Sequence, residues 1–291
     1  MVTDVSRAFD QLSNTLKHTA METTAAASHR ASIEACLRVN FGITSFFRSG
    51  SFGNGTNVAS YSDVDYFAVI PRQNLKQSSG ATLQAMAAAL RTRFPTTPNI
   101  RVNGPGVQLP FGVDGSEHTE VIPVDLVGTT KLGFRQFDMP DRNDGWMFSA
   151  PESHNAYVLS EDRRLGGKLR PLIRLVKAWK YYRNVPVKSF YLEMTTVAAC
   201  KSEEVIVHSI DLKRVFERLV NSSLLPIVDP RFESQTISGV GGEAARTEAL
   251  SKVRNALKWA DEARLAETAG NNKLAFDKWD LVFNYKFPLY Y

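Results

Sequence analysis

The stretch Gly50-Ser51-Phe52-Gly53-Asn54-Gly55-Thr56, followed after six residues by Asp63-Val64-Asp65-Tyr66-Phe67-Ala68-Val69-Ile70, decides how this sequence is read. Strand side chains alternate faces, so Asp63 and Asp65, two apart at the head of an apolar β-branched and aromatic run, can share one side. Paired carboxylates there suit hard divalent cations. The glycine-serine turn ahead of them supplies close-approaching backbone and N–H donors through Gly50, and a hydroxyl through Ser51, as a triphosphate requires. Either half alone is common. A Gly-Ser turn is usually only a turn, and Asp-x-Asp arises by chance, but in this order and followed by a strand they specify nucleotidyl transfer.

Working outward, a two-metal site needs a third carboxylate. Asp125 is the expected one, because it interrupts the apolar run Val121-Ile122-Pro123-Val124 and Leu126-Val127. A carboxylate buried unpaired there would cost several kcal/mol, which a bound cation would remove. Asp125 is then also the expected base for an attacking hydroxyl. Two cations about 4 Å apart would activate that hydroxyl and neutralise the leaving pyrophosphate. The expected cofactor is two Mg2+ ions, with Mn2+ as a substitute.

Residues 4–47 carry helical periodicity, the mixed strand and turn signals run to about 127, and residues 129–162 show no sustained period and read as connecting loop. From Arg163 onward the chain reads as helices, interrupted by a long glycine-containing loop at 226–243. The expectation is therefore α+β: a mixed sheet with helices in residues 1–150, an all-helical lobe in residues 151–291, and a cleft between them.

Composition narrows the class. Of 291 residues, 35 are Lys or Arg and 30 are Asp or Glu, a net charge of +5 that suits phosphate ligands without demanding a nucleic-acid duplex. No apolar run approaches the roughly 18 residues a membrane span needs, and a basic leader is absent, so the expected location is the cytoplasm without membrane contact. Cys36 and Cys200 form no ligand spacing, and neither do His18, His29, His118, His154 and His208. A cysteine or histidine metal site and a Ser-His-Asp hydrolase are thereby disfavoured.

Gly50-Ser51 through Asp65 resembles the signature of the DNA polymerase β-like nucleotidyltransferase superfamily. Three later segments narrow the resemblance to the cGAS/DncV-like nucleotidyltransferases of bacteria (CD-NTases): Leu172 to Lys180, Pro186 to Glu193, and Trp279 to Pro288. The later lobe is similar to that of oligoadenylate synthase. The resemblance implies that a lysine on the long helix and a serine opening the next helix hold the donor triphosphate, and the matching positions are Lys177 and Ser189. It further implies base stacking at Phe190, for which core packing is the competing reading. The implied activity is template-independent joining of nucleoside triphosphates into a cyclic di- or trinucleotide messenger in anti-phage (CBASS) defence, with regulatory or effector proteins as partners. The alternatives are a linear oligonucleotide synthase or another enzyme of the superfamily, and a non-catalytic nucleotide-binding protein.

Overall fold

A computed structural model describes residues 3–17, 20–59, 61, 64–111, 117–141 and 143–291, with the side chains of 20–26 and 117 outside the description. The chain divides into two compact units, residues 18–156 and residues 1–17 with 157–291. The first helix thus belongs to the unit built mainly from the second half of the chain, a division that differs from the expected break near residue 150.

The sheet-containing unit is organised around β2 (Val64–Val69), which pairs antiparallel with β1 (Ser45–Arg48) and parallel with β5 (Glu117–Thr129). Strands β4 (Gly106–Phe111) and β3 (Arg101–Asn103) extend the other edge of β5. Alternation along β2 splits its residues between two cores. Val64, Tyr66 and Ala68 face α2 (Ala20–Phe41) and α4 (Ser79–Arg93), packing with Leu37, Met86 and Leu90. Phe67 and Val69 face the opposite side, with Ile122, Val124 and Phe137. Both faces being buried explains why this strand reads as continuous apolar residues after Asp65.

Residues 129–162 are not a loop. They hold the antiparallel strands β6 (Arg135–Pro140) and β7 (Trp146–Ser149) and the helix α5 (Pro151–Arg164). β6 continues from the far half of β5, pairing Asp125 with Asp138 and passing a bulge between Leu126 and Gly128. These strands are short and only partly buried, and α5 is mostly polar, so neither imposes a hydrophobic period on the sequence.

In the helical unit, α6 (Leu169–Tyr182) buries Leu172, Ile173, Val176 and Trp179, as its periodicity predicts. It is followed by α7 (Ser189–Ala199), α8 (His208–Asn221), α9 (Glu243–Thr268) and α10 (Asn272–Val282). Helix α9 turns a stripe of alanines and a valine inward (Ala249, Val253, Ala256, Ala260, Ala263), small side chains that let neighbouring helices approach closely. α1 (Val5–Thr15) inserts Phe9 among Trp279, Phe283 and Phe287, at ring-centroid distances of 5.0, 6.2 and 5.0 Å. Both cysteines are buried and free. Among the described residues no helix is long and apolar enough to cross a membrane.

Candidate active site

The glycine-serine turn folds as a single short helical turn, α3 (Gly50–Asn54), lying against the head of β2. The N–H of Ser49 donates to the carbonyl of Asp65 at 2.8 Å, fixing the turn beside that residue. Gly50 has a left-handed backbone, φ +57°, and a Cβ there would stand 2.0 Å from Oδ2 of Asp65. Glycine is required on both counts: the conformation strains other residues, and a side chain would displace the carboxylate. Ser51 follows within the same turn and is half-buried. The structure therefore brings Gly50, Ser51 and Asp65 together, whereas Asp63 lies outside the described residues.

Asp125 does not join them. Across the parallel pair, Asp65 stands in register with Glu120, and Asp125 lies five residues further along β5, about 16 Å at 3.3 Å per residue. Its position also has the opposite parity: Glu120, Ile122 and Val124 share the face of Asp65, Phe67 and Val69, and Asp125 shares that of Val121. The carboxylate, 9% exposed, sits instead beside Arg72, whose Nη1 is 3.6 Å from Oδ2. Burial pushes its carboxyl pKa upward; Arg72 opposes that and Asp138 on β6 reinforces it. The carboxylate inferred from the apolar run is buried, and the partner seen beside it is the Arg72 guanidinium.

The acidic residue in register with Asp65 is Glu120. Cα atoms paired across two strands are about 4.8 Å apart and project to the same side. The Glu120 side chain lies over Gly106 on β4, where a Cβ would come within 2.6 Å of Cγ of Glu120. In the sequence Glu120 is only an acidic residue ahead of an apolar run, and nothing in that run fixes the register that sets it opposite Asp65. Among the described residues no three His, Cys, Asp or Glu side chains converge on one point.

A second cluster forms in the helical unit, where α6 and α7 run antiparallel and meet in two rungs. Lys177, 1% exposed, donates Nζ to Oε2 of Glu193 at 2.5 Å. One turn toward the connecting loop, Lys180 donates Nζ to Oγ of Ser189 at 2.8 Å, with the Tyr181 hydroxyl 3.3 Å from the same oxygen. The lysine beside Ser189 is thus Lys180, while Lys177 is committed to a buried ion pair. Chain direction explains the exchange. Only six residues join the helices, so the end of α6 faces the start of α7, and a residue three places nearer that end faces Ser189. Phe190, next to Ser189 at the start of α7, is 42% exposed. Lys180 and Ser189 place a cation and a hydroxyl at the first turn of a helix of eleven residues, where the helix dipole also favours an anion.

No family model matches the chain, and no curated protein is similar to it in sequence. Solved structures are similar over nearly all of it. E. coli MS115-1 CdnC with ATP shares 17% identity at a TM-score of 0.77, covering 99% of this chain and 100% of that one. The same protein in the CdnC:HORMA-deltaN complex gives 16% and 0.75, covering 97% and 98%. Vibrio cholerae DncV cyclic AMP-GMP synthase, in complex with the linear intermediate 5′ pppA(3′,5′)pG, gives 14% and 0.75, covering 94% and 93%. The fold is therefore of the polymerase β-like nucleotidyltransferase type expected from the glycine-serine and aspartate stretch. More narrowly, it is the fold of the CD-NTases CdnC and DncV.

Proposed function

We propose that this chain is a divalent-cation-dependent nucleotidyltransferase that joins nucleoside triphosphates, without a template, into a cyclic di- or trinucleotide and releases pyrophosphate. The observation that carries the reading is the register pairing of Asp65 with Glu120 beside the close-packed Gly50, within a fold shared with a cyclic AMP-GMP synthase. Asp63, Asp65 and Glu120 would hold the cations, for which Mg2+ fits an all-carboxylate donor set and Mn2+ could substitute. When bound, two such ions supply charge neutralisation at the reacting phosphate and the leaving pyrophosphate.

The remaining work belongs to the chain. Gly50 leaves the backbone open to a phosphate, and Ser51 offers its hydroxyl. Lys180 and Ser189 bind further phosphate oxygens, and Phe190 stacks on a base, a contact that tolerates many bases because each has a π-face. Glu120, in place of Asp125, accepts the proton of the attacking hydroxyl through its carboxylate. CdnC is known in complex with a HORMA protein, so a protein regulator, and with it a role in anti-phage defence inside the cell, forms part of the proposal.

The test incubates the purified protein with four labelled ribonucleoside triphosphates and Mg2+ or Mn2+, treats with phosphatase, and identifies resistant products by mass. A resistant cyclic mass, absent with Asp65→Asn and with Glu120→Gln, is the expected result. Phosphatase-sensitive linear products would replace the cyclic reading by a linear synthase. Failure to bind triphosphate at all would remove the enzymatic reading.

A further inference from the structure

The segment between α8 and α9 has no part in the roles above, yet both its ends close on the first turn of α7. It folds as a small hairpin of β8 (Ile227–Val228) and β9 (Thr236–Ile237), and its tip is held internally. There the N–H of Asp229 donates to the carbonyl of Gln235 at 2.9 Å, and the Asp229 carboxylate accepts the N–H of Arg231 at 2.8 Å.

Just past β9, the carbonyl of Gly239 accepts the N–H of Lys188 at 2.8 Å. Lys188 is the extended residue immediately before Ser189, and its own side chain does not cap the helix. Gly239 also lies flat on Tyr191, where a Cβ would stand 2.9 to 3.0 Å from three atoms of the ring. At the other end of the segment, the carbonyl of Leu225 accepts the hydroxyl of the fully buried Tyr191 at 2.9 Å. The segment therefore grips α7 twice, once through the backbone that precedes Ser189 and once through the ring of its third residue.

We infer that residues 225–239 form a strap that positions the phosphate-binding start of α7, with Gly239 and Tyr191 as positioning residues for nucleotide binding. The inference rests on the reading of Lys180 and Ser189 as phosphate ligands. A hydroxyl that binds a phosphate oxygen must be held to within about half an ångström, and neighbours that lock its backbone supply that precision. The strap does so from outside the helix. A glycine at 239 allows contact with the ring, and the contact sets the depth at which the Gly239 carbonyl meets Lys188.

The experiment measures equilibrium binding of a fluorescent ATP analogue with Mg2+ to the full chain and to Lys180→Ala, Ser189→Ala, Gly239→Ala, Tyr191→Phe and the Ser189→Ala/Gly239→Ala double variant, with circular dichroism and Tm alongside. Gly239→Ala is expected to weaken binding about tenfold and Tyr191→Phe about threefold, each with the helical signal retained. In the double variant the two losses fall well short of multiplying, because residues that act through one another are not additive. A merely structural glycine would lower Tm without that coupling. Unchanged binding in both Gly239→Ala and Tyr191→Phe, or fully multiplicative losses in the double variant, would overturn the strap. Should Gly239→Ala fail to fold, Tyr191→Phe and the Tyr191→Phe/Ser189→Ala pair decide by the same criteria. If Lys180→Ala and Ser189→Ala bind as well as the unaltered chain, the phosphate-ligand reading itself fails, and the strap with it.

Discussion

Two lysines three residues apart on α6 should behave in opposite ways. Lys180→Ala removes a cation beside Ser189 and is expected to raise the KM for triphosphate about tenfold, the equivalent of one charge-assisted hydrogen bond, with little change in Tm. Lys177→Met removes the cation from the buried Glu193, and should destabilise the chain by about 3–5 kcal/mol in urea unfolding. Much of that loss should return when Glu193→Leu is added, since an apolar pair often replaces a buried ion pair at little cost. The carboxylates divide in the same manner. Glu120→Gln should lower turnover by about a hundredfold or more, as loss of a cation ligand costs several kcal/mol. Asp125→Asn should keep activity within a few-fold, because its partner is Arg72; equal losses in the two variants would restore Asp125 to the site.

At the scale of elements, a buried imidazole lies where α1 meets α8. His208 opens α8 and packs its ring against Phe9, with Asp10 of α1 at 3.8 Å, the backbone of Lys168 hydrogen-bonded to it, and Arg174 of α6 nearby. Burial holds its pKa below the ordinary value of 6.5; Asp10 and the Lys168 backbone pull the other way. The unfolded chain therefore takes up its proton first as the pH falls. The stability that the neutral ring contributes is complete above pH 6.5 and is lost as the pH falls from there through the folded-state pKa. Tm measured between pH 7.5 and 5.5 should decline more for the unaltered chain than for His208→Gln. Parallel slopes would show that the ring titrates as it does when unfolded. Element legibility follows from the same physics: helices α6 and α8 bury one apolar stripe each and were readable from periodicity. Strands β6 and β7 were not, because they are short, partly exposed and carry no consistent alternation.

For the whole molecule, the division into units predicts that the N-terminus is not dispensable. Removing residues 1–17 would uncover Trp279, Phe283 and Phe287, which lie in the helical unit although they are distant in sequence. Such a truncation should lose helical signal and Tm and become sensitive to proteolysis within residues 157–291; an unaltered proteolytic pattern would contradict the assignment of α1 to that unit. By itself the sequence determined the class of fold, the glycine-serine turn ahead of the strand and the helix that Ser189 opens, because each is encoded locally: a backbone conformation, an alternation period, or a residue opening a helix. It did not give the register that pairs Glu120 with Asp65 or the contact of Lys180 with Ser189. Those pairings depend on strand register and helix direction, which bring together residues far apart in the chain, and only the tertiary structure sets which pair meets. The same holds for Gly239 and Tyr191. A glycine in a long loop looks like a turn until the ring it rests on is known.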